Sequence, residues 1–329
     1  MDRSLAHKHL HVVTGKGGTG KTSVAAALAL ALAADGRTTL LCEVEGRQGI
    51  AQVFDTAPLP YTETQIASAP GGGRVFALAV DPKEALRDYL QLFYRLGPAM
   101  GMLDRVGAVD FVTTIAPGLR DVLLTGKVYE ATGARRKGRQ RYDAVIVDAV
   151  PTGRVGRFLN VNAEVSGLAR VGPVHKQADS IMRLLRSEAT AVHLVTLLEE
   201  MPVQESIDAI AELHALGLPV GAVAVNRVRN SPLSQVDLRA AATGKMKADQ
   251  ISQGLAAAGL DHPSHPEAST ATALINEAAE LSERITLQQA QRQRLEETGQ
   301  PLIDLPEVQA PGTVAAVHEL AETIRAGLR

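Results

Sequence analysis

Residues 15–22 read Gly-Lys-Gly-Gly-Thr-Gly-Lys-Thr. Their spacing fits the phosphate-loop pattern G-x-x-x-x-G-K-[ST], with Gly15, Gly20, Lys21 and Thr22 in the fixed places. The residue types explain the chemistry. Glycines let the backbone curl so that successive N–H groups point at one anion. The Lys21 ammonium sits where it would reach the β- and γ-phosphates of a nucleoside triphosphate. The Thr22 hydroxyl is placed to ligate Mg²⁺, and the helix opening there aims its positive end at the same phosphates. The predicted contact stretch is Gly15, Lys16, Gly17, Gly18, Thr19, Gly20, Lys21, Thr22 and Ser23.

Further along, Tyr142–Asp148 reads YDAVIVD. An apolar strand ending in Asp148 fits a Walker B, whose carboxylate holds Mg²⁺ through water. Thr38–Glu45 (TTLLCEVE) reads as a buried parallel strand that brings Glu43 and Glu45 to the edge where such a sheet meets its ligands. Asn226 follows a predicted strand at Pro219–Val225. It is read either as a cap or turn, or as an amide that presents donor and acceptor side by side to adenine.

These residues need a scaffold. Leu10–Thr14 is a short β-type run before the phosphate loop, and Ser23–Ala34 is an Ala/Leu-rich helix after it, in the order the motif requires. The run Val24–Ala34 is shorter than the about 20 residues that span a bilayer, so it is predicted to be a buried helix. Residues 58–73 contain Pro58, Pro60 and SAPGGG and read as a break, with Arg74–Val80 as a third strand. Asp81-Pro82-Lys83-Glu84 is a helix start, followed by a stripe of Leu86, Leu90, Phe93 and Leu96 with Tyr89 beside it. Gly97–Gly107 reads as a flexible, methionine-bearing break, and a second helix is predicted for about 119–132. Helices between strands over about 83–132, with 160–187, exceed what a crossover needs and form a predicted insert. Gly133–Arg141 is a basic, solvated loop. A helix is predicted over 164–187, strands over 191–198 and 302–305, helices over 203–216 and 313–328, and polar helical chain over about 230–300. The last helix is expected to pack on the sheet rather than lie on a membrane. The fold class is α/β: one doubly wound, mostly parallel sheet over 1–329.

Net charge is −2, with 34 basic residues against 36 acidic. That offers no field for nucleic acid, and 3% aromatics without Trp offer no base-stacking platform. The single cysteine, Cys42, excludes an internal disulfide and a cysteine-built metal site, so no zinc is expected and a cytoplasmic location fits. His262 and His265 lack a ligand cluster around them.

Lys16 is a second lysine, at the opposite end of the loop from Lys21. With it, GKGGTGKT resembles the deviant Walker A of the MinD/ParA, nitrogenase-iron-protein and arsenite-pump ATPase group. The resemblance implies that Lys16 crosses a dimer interface to the partner's nucleotide. VDAVPTGRVGRFL (147–159) resembles the DTAPTGH-type switch II of the arsenite-pump and guided-entry (Get/TRC-type) ATPase family, and MPVQES (201–206) resembles the segment that opens the helix before that family's adenine strand. The match covers most of 10–328 and is nearest to the paired actinobacterial members. It places Asn226 on the adenine-contact asparagine and Pro306 in the loop closing over adenine. The insert falls where targeting members build a groove for a client's transmembrane helix.

Three features depart from that family. Switch I, DPAHS, reads Glu45-Gly46-Arg47-Gln48-Gly49, so the carboxylate orienting the attacking water is Glu45, one methylene longer. The zinc-binding cysteine pair of eukaryotic dimers is missing, as are the arsenite-holding cysteines of pump subunits. The resemblance implies a Mg²⁺-dependent ATPase that dimerises around ATP, as a homodimer or with a paralogue, and handles a hydrophobic membrane-protein client. Lys16, Lys21, Glu45 and Asp148 are the catalytic set, and Thr22 and Asp148 serve the metal. A weakly turning nucleotide-binding subunit, an anion-pump-type ATPase and a MinD/ParA-type ATPase are the alternatives.

Overall fold

A computed structural model describes residues 5–94, 117–136, 138–168, 173–229, 231–260 and 267–328. The Gly97–Gly107 segment, Phe93's side chain, Leu96 and the histidines at 262 and 265 lie outside the described features.

The strands are β1 (Leu10–Gly15), β2 (Thr38–Glu43), β3 (Thr64–Ala69), β4 (Gly73–Ala79), β5 (Arg135–Arg136), β6 (Arg139–Gln140), β7 (Ala144–Asp148), β8 (Thr190–Thr196), β9 (Val220–Val228) and β10 (Leu302–Pro306). Eight of them form one sheet in the order β10-β9-β8-β1-β7-β2-β4-β3. Every pairing in it is parallel except β3 with β4. Helices cover both faces, which is why β1, β2, β7 and β8 are almost wholly buried and carry apolar runs at their centres. The chain leaves β1 towards β2 on one side and leaves β7 towards β8 on the other. That places a topological switch point at the C-terminal ends of β1 and β7.

The Lys21–Ala33 helix is buried from Val24 to Ala33. Alanine and leucine are strong helix formers, and this helix has the sheet on one side and the Val314–Leu328 helix on the other. Val317, Leu320 and Ile324 of the latter share its core cluster. The C-terminal helix therefore packs mainly on the Lys21–Ala33 helix and also meets β10 at the edge of the sheet, and its apolar face is covered. Among the described residues no helix is long and apolar enough to cross a membrane.

Several expectations are corrected. The break at 58–73 contains an edge strand, β3, joined to β4 through the tight turn Pro70–Gly72. Its TQIASA sequence is half exposed and lacks a strong alternation, so only its pairing with β4 defines it. The basic loop at 133–141 forms a two-residue ladder, β5 with β6. The helix after β7 starts at Thr152 and runs to Leu168, with a second at Pro173–Leu185. Gly153 and Gly156 lower the local propensity, but burial of Val155, Phe158 and Leu159 overrides it. The 230–300 region resolves into helices at Gln235–Ala242, Ala248–Ala257 and Glu267–Glu296.

The insert helices are Pro82–Tyr94 and Pro117–Gly133. Asp81 Oδ1 caps the first, accepting from the N–H groups of Lys83 (2.8 Å) and Glu84 (3.0 Å). Leu86 is buried against Leu123, while Leu124 and Val128 enter the main core. The described part of the apolar stripe is thus largely covered by the protein's own packing.

Candidate nucleotide site

The phosphate loop leaves β1 at Gly15, whose neighbour across the ladder is Val195. A Cβ on Gly15 would lie 2.2 Å from the Val195 carbonyl oxygen, so only glycine lets the loop start so close to β8. Gly20 has φ 92°, and its added Cβ would meet Asn226 Nδ2 at 2.4 Å. The loop is braced from inside. Thr19 Oγ1 donates to Lys16 O at 2.8 Å, and Asn226 Nδ2 donates to Thr19 O at 2.8 Å. Gly17 and Gly18 lie exposed on the outer side.

Lys21, Thr22 and Ser23 open the helix, and their neighbour is the end of β7. Thr22 Oγ1 donates to Asp148 Oδ2 at 2.7 Å. Asp148 Oδ1 is buried without a hydrogen-bond partner. Burial pushes the Asp148 carboxyl up to about 6; the Thr22 bond and the Lys21 charge favour ionisation, while Glu43 and Glu45 oppose it. A hydroxyl bonded to a carboxylate, with the second carboxylate oxygen unsatisfied and an ammonium alongside, is a donor set that fits Mg²⁺ and its waters. Thr22 and Asp148 are the residues that could hold it.

The end of β2 and the loop after it each carry a carboxylate, in different positions. Glu43 is 2% exposed, and its two oxygens accept from the N–H groups of Gln48 (2.5 Å) and Ile50 (3.1 Å). It fastens the switch I loop to the end of β2, a role the sequence reading missed. The signal was its position as the last residue of a buried strand, where a carboxylate must find donors. Glu45 lies in the loop itself, with Arg47 3.6 Å away.

Lys16 is the second surprise. Its Nζ lies 2.5 Å from Glu205 Oε1, and Glu205 Oε2 accepts from Thr152 Oγ1 at 3.0 Å. The hydrogen bond from Lys16 holds the Glu205 carboxyl below the usual range. Glu205, from the Glu200–Ala215 helix, thus ties the phosphate loop to the residue that opens the helix after Asp148. In the sequence it was only one letter of MPVQES.

Two base-side residues sit inside strands rather than just beyond them. Asn226 lies within β9 rather than after a strand. Its Oδ1 accepts from the Arg227 N–H at 3.0 Å and its Nδ2 donates to Thr19 O, which leaves one lone pair and one amide hydrogen for a base. Pro306 is the last residue of β10 rather than part of a loop. The cavity beside Asn226 is instead bounded on that side by Glu307.

A family model described as anion-transporting ATPase matches residues 8–188. The chain belongs to the anion-transporting ATPase family. It is 50% identical over 321 residues to the ATPase BagA of Mycobacterium tuberculosis H37Rv, covering 97% of this chain and 93% of that protein. It is 29% identical over 248 residues to arsenical pump-driving ATPases of Acidiphilium multivorum and Escherichia coli, covering 70% of this chain and 41% of each of those proteins. The parallel sheet, the phosphate loop and this kinship identify an ATP-hydrolysing enzyme, and the family generally uses nucleotide and Mg²⁺. The actinobacterial likeness expected from the sequence agrees with the mycobacterial relative.

Proposed function

We propose that this ATPase binds Mg·ATP between residues 15–22 and Asp148, hydrolyses it with Glu45 orienting the water, and does so as a dimer whose nucleotide state is passed to the insert. The observation that carries the proposal is the contact of Thr22 with Asp148 beside Lys21, with one Asp148 oxygen left open. The backbone N–H groups of the loop and the Lys21 ammonium would hold the β- and γ-phosphates. Mg²⁺, held by Thr22 and through water by Asp148, would supply positive charge against the phosphates. Glu45 would accept a hydrogen bond from the attacking water and set it in line with the leaving oxygen. Most of the rate then comes from fixed charges matched to the transition state.

The dimer is supported by the open outer side of the loop. Gly17 and Gly18 are exposed, and among the described residues the Lys16 ammonium is held by a partly exposed carboxylate that a phosphate can replace. Coupling to the insert is supported by the helix at Thr152–Leu168, which starts four residues past the end of β7. Its Asn162 donates to Thr125 of the Pro117–Gly133 helix at 2.8 Å, so movement of the switch would reach the insert. A hydrophobic membrane-protein client is the proposed user of that motion.

Lys21→Ala tests the core of the proposal. ATP binding by calorimetry and steady-state phosphate release should both be lost, and unchanged hydrolysis would end this reading. Glu45→Gln should slow turnover about 100-fold with binding kept. Light scattering with and without ATP reads the dimer, and co-purification with an ATP-trapped chain reads the client.

A further inference from the structure

Switch I holds a backbone outlier. Gln48 has φ 56° and ψ 27°, in the left-handed region that side chains rarely adopt. Such strain persists where the surrounding structure imposes it, and here the constraints are explicit. The Gln48 N–H donates to Glu43 Oε1 at 2.5 Å. The Gln48 side-chain amide pairs twice with the backbone of Leu59: Oε1 accepts from the Leu59 N–H at 2.7 Å, and Nε2 donates to Leu59 O at 3.2 Å. Leu59 is itself buried. The Pro60 carbonyl beside it accepts from the N–H of Ala79, the last residue of β4, at 3.0 Å. The clamp therefore fastens switch I to the sheet.

The clamp adjoins the residues that would serve the metal and the water. Gly49, next to Gln48, sits against Thr22: a Cβ on it would lie 3.2 Å from Thr22 Cγ2 and 3.5 Å from Thr22 Oγ1. On the other side of Gln48 lie Arg47, Gly46 with φ 68°, and then Glu45. Glu45 is close enough to Asp148 to oppose its ionisation. Its own anchor is weak. Among the described residues the Glu45 carboxylate has one ion-pair partner, Arg47 at 3.6 Å, whose side chain is 72% exposed, and an exposed pair holds little. Three positions on, Gln48 is fixed by its bonds to Glu43 and Leu59. The place of Glu45 thus follows from the place of Gln48.

We propose that Gln48 is a positioning residue for ATP hydrolysis: its clamp on Leu59 holds residues 45–49 so that Glu45 faces the attacking water beside Thr22 and Asp148, a role that rests on the reading of Glu45 above. Glutamine suits the task, because one planar amide supplies both the acceptor and the donor that a backbone N–H and C=O require. Its amide bonds Leu59, so Gln48 acts on Glu45 through the loop backbone. The strained backbone at Gln48 is what keeps the loop folded back along β2 while its side chain reaches Leu59. A glycine there would adopt the same backbone without strain but would leave the loop unclamped.

The test measures kcat and KM for Mg·ATP hydrolysis in the full chain and in its Gln48→Ala, Gln48→Gly and Glu45→Gln variants and the Gln48→Ala, Glu45→Gln double variant, with urea unfolding to follow the fold. Gln48→Gly relieves the backbone strain, so a folded variant without the clamp remains if Gln48→Ala loosens the chain. Both replacements of Gln48 should lower kcat about tenfold and leave KM within about twofold. Because Gln48 acts through Glu45, adding Gln48→Ala to Glu45→Gln should lower kcat no further. Wild-type kcat in Gln48→Gly would overturn the inference. So would a loss carried by KM, or one that persists in full on the Glu45→Gln background. Hydrolysis unchanged in Glu45→Gln would instead overturn the reading of Glu45, and the positioning role with it.

Discussion

β1 carries a polar cluster near each end, and the two are built on opposite terms. Near its start, His11 meets His193 of β8 with Nδ1 and Nε2 3.0 Å apart. Ala222 N–H donates to His193 Nδ1 at 3.2 Å, so the hydrogen of a neutral His193 sits on Nε2 and points at His11. His11 then carries its own hydrogen on Nε2, 3.2 Å from Lys8 O. Every ring nitrogen is partnered. At the other end, Asp148 keeps an unpartnered oxygen, and Lys21, also buried, makes no ion pair among the described residues. Both clusters place polar groups in a low-dielectric interior. The satisfied one is scaffold. The unsatisfied one is poised for a ligand that completes it.

The comparison can be broken most directly at the open end. Asp148→Asn should lower turnover by about 100-fold or more with little loss of stability, as followed by phosphate release and by chemical denaturation. If the variant unfolds instead, Asp148 belongs to the scaffold. At the closed end the expectation reverses. His193→Ala leaves a hole and orphans Ala222 N–H, and should cost about 2–4 kcal/mol in urea unfolding, with turnover per folded molecule unchanged.

Acid should separate the two ends as well. Burial lowers His193 to about 4, and burial followed by the His193 charge lowers His11 well below its ordinary value. Their unfolded values are near 6.5, so the unfolded chain binds more protons below that pH. Stability from the pair is full above about 6.5 and is lost as pH falls towards about 4. Asp148 is raised to about 6, so its ionised form, the one that attracts Mg²⁺, fades as pH falls through that value. Calorimetry from pH 7.5 to 5 should show Mg·ATP affinity falling, and Asp148→Asn should flatten that dependence. The smallest effect belongs to Glu205→Gln. A partly exposed ion pair contributes less than about 1 kcal/mol to stability, so the melting curve should barely move. Freed of its carboxylate, Lys16 should favour ATP-driven self-association in light scattering. An unchanged association would mean that Glu205 does not restrain Lys16.

How much of this was legible depends on how local the cause is. The Asp81 cap and the Ala/Leu helix after the phosphate loop were readable because a few adjacent residues decide them. β3 was not, because its half-exposed residues become a strand only by pairing with β4. The start of the helix at Thr152 was hidden by two glycines whose cost is outweighed by burial of Phe158 and Leu159. Leu86 was readable as part of an apolar stripe, but an amphipathic pattern specifies a buried face without naming what covers it.

The sequence by itself determined the phosphate-binding chemistry, since eight consecutive residues and one strand-final carboxylate carry it and backbone geometry does the rest. It also determined the parallel sheet, through strands too apolar to face water. Tertiary structure alone decided the contacts between distant residues: Lys16 with Glu205, 189 positions away, and His11 with His193, 182 away. No local pattern encodes such pairs, because the groups meet only after the sheet has set its strand order and the helices have packed across it.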